Sequence, residues 1–174
     1  DVRVVVLAGR GKSFSAGADL NWMKRAANNG LDDNLNDARA LAHMLRTLAE
    51  MRKPTIARVQ GAALGGGLEI GLACHHRIAA DVKGSQLGLP EVTPGLLPGG
   101  GGGTRTVRMF GIQKAFMEIL SQGTRFKPAK ALETGLVDEL VGSVEELLPA
   151  AKAWIKANPE AHTQPWDTKG YKMP

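Results

Sequence analysis

Two glutamates stand where carboxylates could do chemistry. Glu69 follows Gly65-Gly66-Gly67 by two residues, with Leu68, Ile70, Leu72 and Ala73 around it. A carboxylate among apolar neighbours costs stability unless it is paired or used, and burial suits it to general acid or base work. The alternative is a carboxylate that complements the dipole of a helix start. Glu91 follows Pro90 and shortly precedes a second glycine run, Pro98 through Gly103, and alone it reads as an ordinary loop carboxylate. Paired beside a site that holds negative charge, one carboxylate can position a water while the other delivers a proton.

Two loops offer to hold that charge. Gly65-Gly66-Gly67 opens a helix, where backbone N–H groups and the dipole both favour an anion. Residues 9 to 19, GRGKSFSAGAD, follow a strand, and Ser15, Ala16 and Gly17 leave their amides unobstructed; an ordinary tight turn is the other reading. Two such amides converging on one carbonyl oxygen form an oxyanion hole able to stabilise an enolate derived from a thioester.

The Gly11-Lys12-Ser13 tripeptide is not a phosphate loop, because the glycine required five positions earlier is Val6. Ser15 is not on a nucleophile elbow, since position 13 is Ser rather than Gly. The dinucleotide pattern fails from Gly9, where it meets Phe14, and from Gly65, where it meets Ile70. His75 and His76 are adjacent and would face opposite ways on a strand, with no metal-ligand spacing around them.

The elements that must position these residues follow from periodicity. Arg3 to Leu7 reads as a strand. Leu35, Ala38, Leu41, Ala42, Leu45 and Leu48 mark the buried face of a helix capped by Asp32 or Asp33 and ended by Lys53-Pro54. Residues 55–59 and 77–80 read as strands, with a glycine loop and a helix to about Cys74 between them. The run Pro98 through Gly103 is expected to open a helix, with further helices near 112–122, 128–134 and 144–157 and a brief strand at 136–141. Alternating strands and helices predict α/β with a mostly parallel sheet. Residues 161–174 read as a linker or tail after a domain spanning 1–160.

Composition sets outer bounds. At 174 residues, 43% hydrophobic and 22% charged, the chain suits one globular domain. Its net charge of +5 admits an anionic partner, but Lys and Arg are dispersed and only one Tyr and four Phe are available to stack on bases, which argues against nucleic acid. The single cysteine, Cys74, excludes an intramolecular disulfide, and no apolar run approaches the roughly 20 residues of a membrane span. A soluble cytoplasmic protein is expected. The chain begins at Asp1 and runs almost at once into a strand, which suggests a fragment or a processed form.

Three motifs in succession carry a family resemblance across nearly the whole chain. Phe14-Ser15-Ala16-Gly17-Ala18-Asp19, then Gly61 through Glu69, then Leu89-Pro90-Glu91 through Leu97-Pro98-Gly99, resemble the signatures of the enoyl-CoA hydratase/isomerase, or crotonase, superfamily. More finely, residues 13–24 resemble methylglutaconyl-CoA hydratases. Residues 73–81 and 87–92 resemble the hydratase half of multifunctional fatty-acid oxidation proteins, and the ending from Trp166 resembles the connection toward their dehydrogenase domain.

The resemblance implies a spiral of repeated ββα units with C-terminal helices, lacking the N-terminal part of the fold, and subunits assembled as trimers or dimers of trimers. It makes the backbone N–H groups of Ala16 and Gly66 the oxyanion donors, Glu69 the carboxylate that activates water and Glu91 the one that exchanges a proton at C2. It places Ser15, Gly17, Ala18, Asp19 and Gly65 around the substrate. The implied reaction is hydration of a trans-2-enoyl-CoA without metal or redox cofactor, coenzyme A being part of the substrate. Enoyl-CoA isomerisation and a non-catalytic CoA- or RNA-binding module are the alternatives. Lys24 and Arg10 are candidates for CoA phosphates, and Trp22 for the acyl pocket or the core.

Overall fold

The computed structural model describes residues 2–174. In chain order the regular elements are β1 (Val5–Ala8), α1 (Leu20–Ala26), α2 (Leu31–Ala49), β2 (Thr55–Val59), β3 (Ala62–Leu64), α3 (Gly66–Ala73), β4 (His76–Ala80) and β5 (Gln86–Gly88). There follow α4 (Gly102–Phe110), α5 (Ile112–Lys114) running into a π-helical stretch (Ala115–Leu120), β6 (Arg125–Phe126), α6 (Pro128–Thr134), β7 (Glu139–Val141) and α7 (Leu147–Ala157). Among the described residues no helix is long and apolar enough to cross a membrane.

A four-stranded sheet runs β1-β2-β4-β7 with every pair parallel. A smaller sheet runs β3-β5-β6, its first pair parallel and its second antiparallel. β2-β3-α3 and β4-β5-α4 thus repeat one strand-strand-helix order, each sending its first strand to the large sheet and its second to the small one. Parallel strands buried on both faces need helices on both. Ala57 and Val59 of β2 pack with Leu68 and Leu72 of α3, whereas Ile56 packs with Ile78, Leu147 and Ala151 beneath α7. This is the α/β arrangement of repeated strand-strand-helix units that the resemblance implies.

Several local expectations are corrected. Residues 20–26, to which periodicity assigns no element, form α1, capped by the Asp19 carboxylate, which accepts the Trp22 N–H at 2.8 Å. α2 is capped by extended Gly30, which moves Asp32 and Asp33 into the first turn, where their charge complements the dipole. Its apolar stripe is not a buried face: Leu45 alone is buried, and Leu35 and Leu41 are exposed. Residues 62–64, taken as part of the glycine loop, are β3. α7 starts at Leu147 rather than at 144, whereas α4 opens at Gly102, inside the run Pro98 through Gly103.

The segment 161–174 packs back on the body. Gln164 is buried and its Nε2 donates to the Cys74 carbonyl at 2.7 Å, Arg108 pairs with Asp167 at 2.9 Å, and the Tyr171 hydroxyl donates to the Arg108 carbonyl at 2.6 Å. The two histidines serve packing. His75 Nδ1 lies 2.8 Å from the Thr55 hydroxyl, and the His76 ring stacks on Trp154 with centroids 4.2 Å apart.

Candidate active site

The first loop reaches the glycine turn because it joins the small sheet. Ser15 bridges Ala63 in parallel: the Ser15 N–H donates to the Ala62 carbonyl and the Leu64 N–H to the Ser15 carbonyl, both at 3.0 Å. Gly17 is thereby brought against Gly66, whose nitrogen lies 3.8 Å from the point a Gly17 β-carbon would occupy. Among the described residues neither the Ala16 N–H nor the Gly66 N–H donates to an acceptor within the chain. Both amides are thus left available to an acceptor from outside the chain.

The glycines are needed for space and conformation. A β-carbon on Gly67 would overlap the Ser15 carbonyl. Gly65 sits at φ +55°, ψ −127°, its N–H donates to the Gly88 carbonyl at 2.9 Å, and a β-carbon there would lie 2.8 Å from Glu91 Oε1. That backbone region is sparsely populated by residues with side chains.

Glu69 occupies the first turn of α3 and is only 3% exposed. Its Oε1 accepts the Gly102 N–H at 2.7 Å, from the start of α4, and its Oε2 lies 2.7 Å from where a Gly100 β-carbon would stand. Glu91 lies on the short 3-10 turn Pro90–Val92, and its Oε2 is buried with no hydrogen-bond partner. Burial pushes the Glu91 carboxyl above the usual range; a hydrogen bond from its own backbone opposes this, and the charge of Glu69 adds to it. The carboxylates flank a single peptide step: the β-carbon positions of Gly65 and Gly66 fall 2.8 Å from Glu91 Oε1 and 4.0 Å from Glu69 Oε2. A buried acceptor held by one amide, a carboxyl biased toward its protonated form and two free N–H groups can together hold a water, a proton and a carbonyl oxygen.

The remaining candidates are more dispersed. Ser15 Oγ accepts the Gly17 N–H at 3.3 Å, so its hydroxyl shapes the loop. Ala18 and Asp19 are exposed, and the Asp19 carboxylate is engaged as the cap of α1. Lys24 and Arg10 are exposed beside the first loop, and Trp22 is exposed on α1. The contact that sequence reading missed is Gly102, whose amide meets a carboxylate 33 residues earlier in the chain. The only signal was the run Gly99 to Gly103. Behind that run lies a cavity of about 710 Å³, walled by Leu45, Gly100, Arg105 and Gln164 among others.

Residues 1–164 match the family described as enoyl-CoA hydratase/isomerase. The chain belongs to that family. The fatty acid oxidation complex subunit alpha of Shewanella amazonensis is 40% identical over 142 residues, 79% of this chain, and that of Shewanella loihica is 41% identical over the same length. The match spans 19% of each of those relatives. An enoyl-CoA hydratase from Bacillus anthracis superposes with a TM-score of 0.78 at 36% identity, covering 89% of this chain and 58% of that one. One from Polaromonas gives 0.82 at 28% identity, covering 91% and 60%. The chain therefore spans well under two thirds of the length of these relatives.

Proposed function

We propose that this chain hydrates a trans-2-enoyl-CoA to the 3-hydroxyacyl-CoA in the degradation of fatty or branched acyl chains. The observation that carries the reading is the pair of unlike carboxyls: Glu69, buried and anchored by the Gly102 amide, and Glu91, with one buried oxygen unpartnered and its carboxyl biased toward protonation. In the reaction Glu69 accepts a proton from water as the water oxygen adds to C3. Glu91 gives its proton to C2 on the same face. The negative charge that passes onto the thioester oxygen is taken by the N–H groups of Ala16 and Gly66. Return of the proton from Glu69 to Glu91 by way of solvent resets the site. The names of the fatty acid oxidation relatives support the substrate class.

Crotonyl-CoA in ¹⁸O-water tests this reading. The absorbance of the conjugated thioester should fall, and the product should carry one solvent oxygen at C3. Glu69→Gln should slow the reaction by about 10²-fold or more, the usual worth of a positioned acid or base. Folded chain that binds CoA but leaves the absorbance unchanged overturns the proposal. A double-bond shift needs Glu91 alone, whose free oxygen favours it as the second reading, and it would incorporate no solvent oxygen.

A further inference from the structure

We propose that Arg105 is a positioning residue for Glu69, acting through the Gly100–Gly102 turn. The inference rests on the reading of Glu69 as the group that activates water. Among the described residues the only hydrogen bond to the Glu69 carboxylate comes from the Gly102 N–H. The direction of that N–H is set by a stretch of five glycines, Gly99 to Gly103, with Gly101 at φ +97°. No sequence has greater backbone freedom, so the donor is only as fixed as whatever restrains the turn.

Two side chains of α4 restrain it. The Thr106 hydroxyl donates to the Gly102 carbonyl at 2.8 Å, a local bond within the first helical turn. Arg105 reaches further back: its Nη1 donates to the Gly100 carbonyl at 3.0 Å and lies 2.5 Å from where a Gly101 β-carbon would stand. The guanidinium thus closes over Gly101 and ties the peptide before it to the helix after it. Gly100 is the residue packed against Glu69 Oε2, so the same bond fixes both walls of the carboxylate. Burial lowers the Arg105 pKa while Glu69, Asp167 and Cys74 draw it back up. Asp167, the acid nearest on the tail, bonds Arg108 at 2.9 Å and leaves the Arg105 Nη1 to the turn.

Arg105 also lines the cavity of about 710 Å³, so truncating it leaves a vacancy that small ions can enter. This permits a chemical test. Amide hydrogen exchange at Gly102, read by NMR without substrate, is measured beside kcat and KM for crotonyl-CoA in wild type, Arg105→Ala and Arg105→Met, the last keeping the packing of the stem. Both variants should lose about tenfold or more in Gly102 protection and in kcat with KM changed less than about threefold, since small misplacements of a reacting group cost rate rather than binding. In Arg105→Ala, guanidinium at tens of millimolar should restore both and urea should restore neither. Unchanged Gly102 protection in Arg105→Met overturns the inference, as does a loss in folded Arg105→Ala that guanidinium does not recover. If wild type does not hydrate crotonyl-CoA, the proposed function fails while the exchange measurement still decides the role of Arg105.

Discussion

Adjacent glycines make the sharpest test of how the site is built: Gly65→Ala and Gly66→Ala. At Gly65 the backbone stands at φ +55°, ψ −127°, and holding an alanine there costs about 1–3 kcal/mol. Relaxing the backbone would surrender the bond from its N–H to the Gly88 carbonyl, worth about 1 kcal/mol, and keeping it drives the new methyl to 2.8 Å from Glu91 Oε1. Since the strain is either kept or exchanged for the lost bond, the cost is about 1–3 kcal/mol, or a melting temperature lower by about 2–12 °C for a chain of this length. At Gly66 the φ is ordinary and the methyl would sit 3.9 Å from the Gly17 Cα and 4.0 Å from Glu69 Oε2, normal contact distances, at a helical position where Ala is preferred by about 0.5–1 kcal/mol. Thermal melts followed by circular dichroism should therefore separate two identical substitutions one residue apart. Gly65→Ala should also lower hydration about 10²-fold by displacing Glu91. Melting temperatures of the two variants within about 2 °C of each other would refute the reasoning, because strain and contact would then not govern this turn.

Glu91 sets a pH dependence of stability. Its pKa is raised on folding, so the folded state holds the proton more tightly than the unfolded chain and stability falls as pH rises from the ordinary carboxyl range through the elevated folded value. Melting curves against pH should be flatter for Glu91→Gln across that window, and a parallel slope for both proteins would contradict the assigned shift. Asp138 accepts both the Arg77 backbone N–H and Nη2 at 2.7 Å, and Arg77 is 3% exposed. Asp138→Ala should lower stability in urea unfolding by about 3 kcal/mol by stranding the guanidinium, whereas a loss below about 1 kcal/mol would mean that water replaces the carboxylate.

What could be read from the chain was whatever depends on neighbours in sequence. Glu69 two residues after three glycines and Glu91 after Pro90 are local patterns, and so are the strand-forming residues after Pro54 that mark β2. α1 escaped notice because it is only seven residues long and none of them is buried. β3 escaped because a three-residue strand between glycines has no composition of its own, and only its pairing with β5 and the Ser15 bridge defines it. The apolar stripe of α2 suggested a buried face, yet Leu45 alone is covered, since periodicity gives the direction of a face and not what lies opposite it. The Gly102 bond to Glu69 joins elements that no local signal connects.

The room around the two carboxylates is made by β-carbons that are not there, at Gly65, Gly66, Gly100 and Gly102. Glycine has no smaller replacement, so a point change at any of these positions can only fill the site. On the proposed reading, variation that admits a bulkier acyl chain must then arise beyond these glycines, in the path of the loops themselves. The inner wall of the site can drift in one direction only, toward closure, and adaptation to new substrates is left to its outer rim.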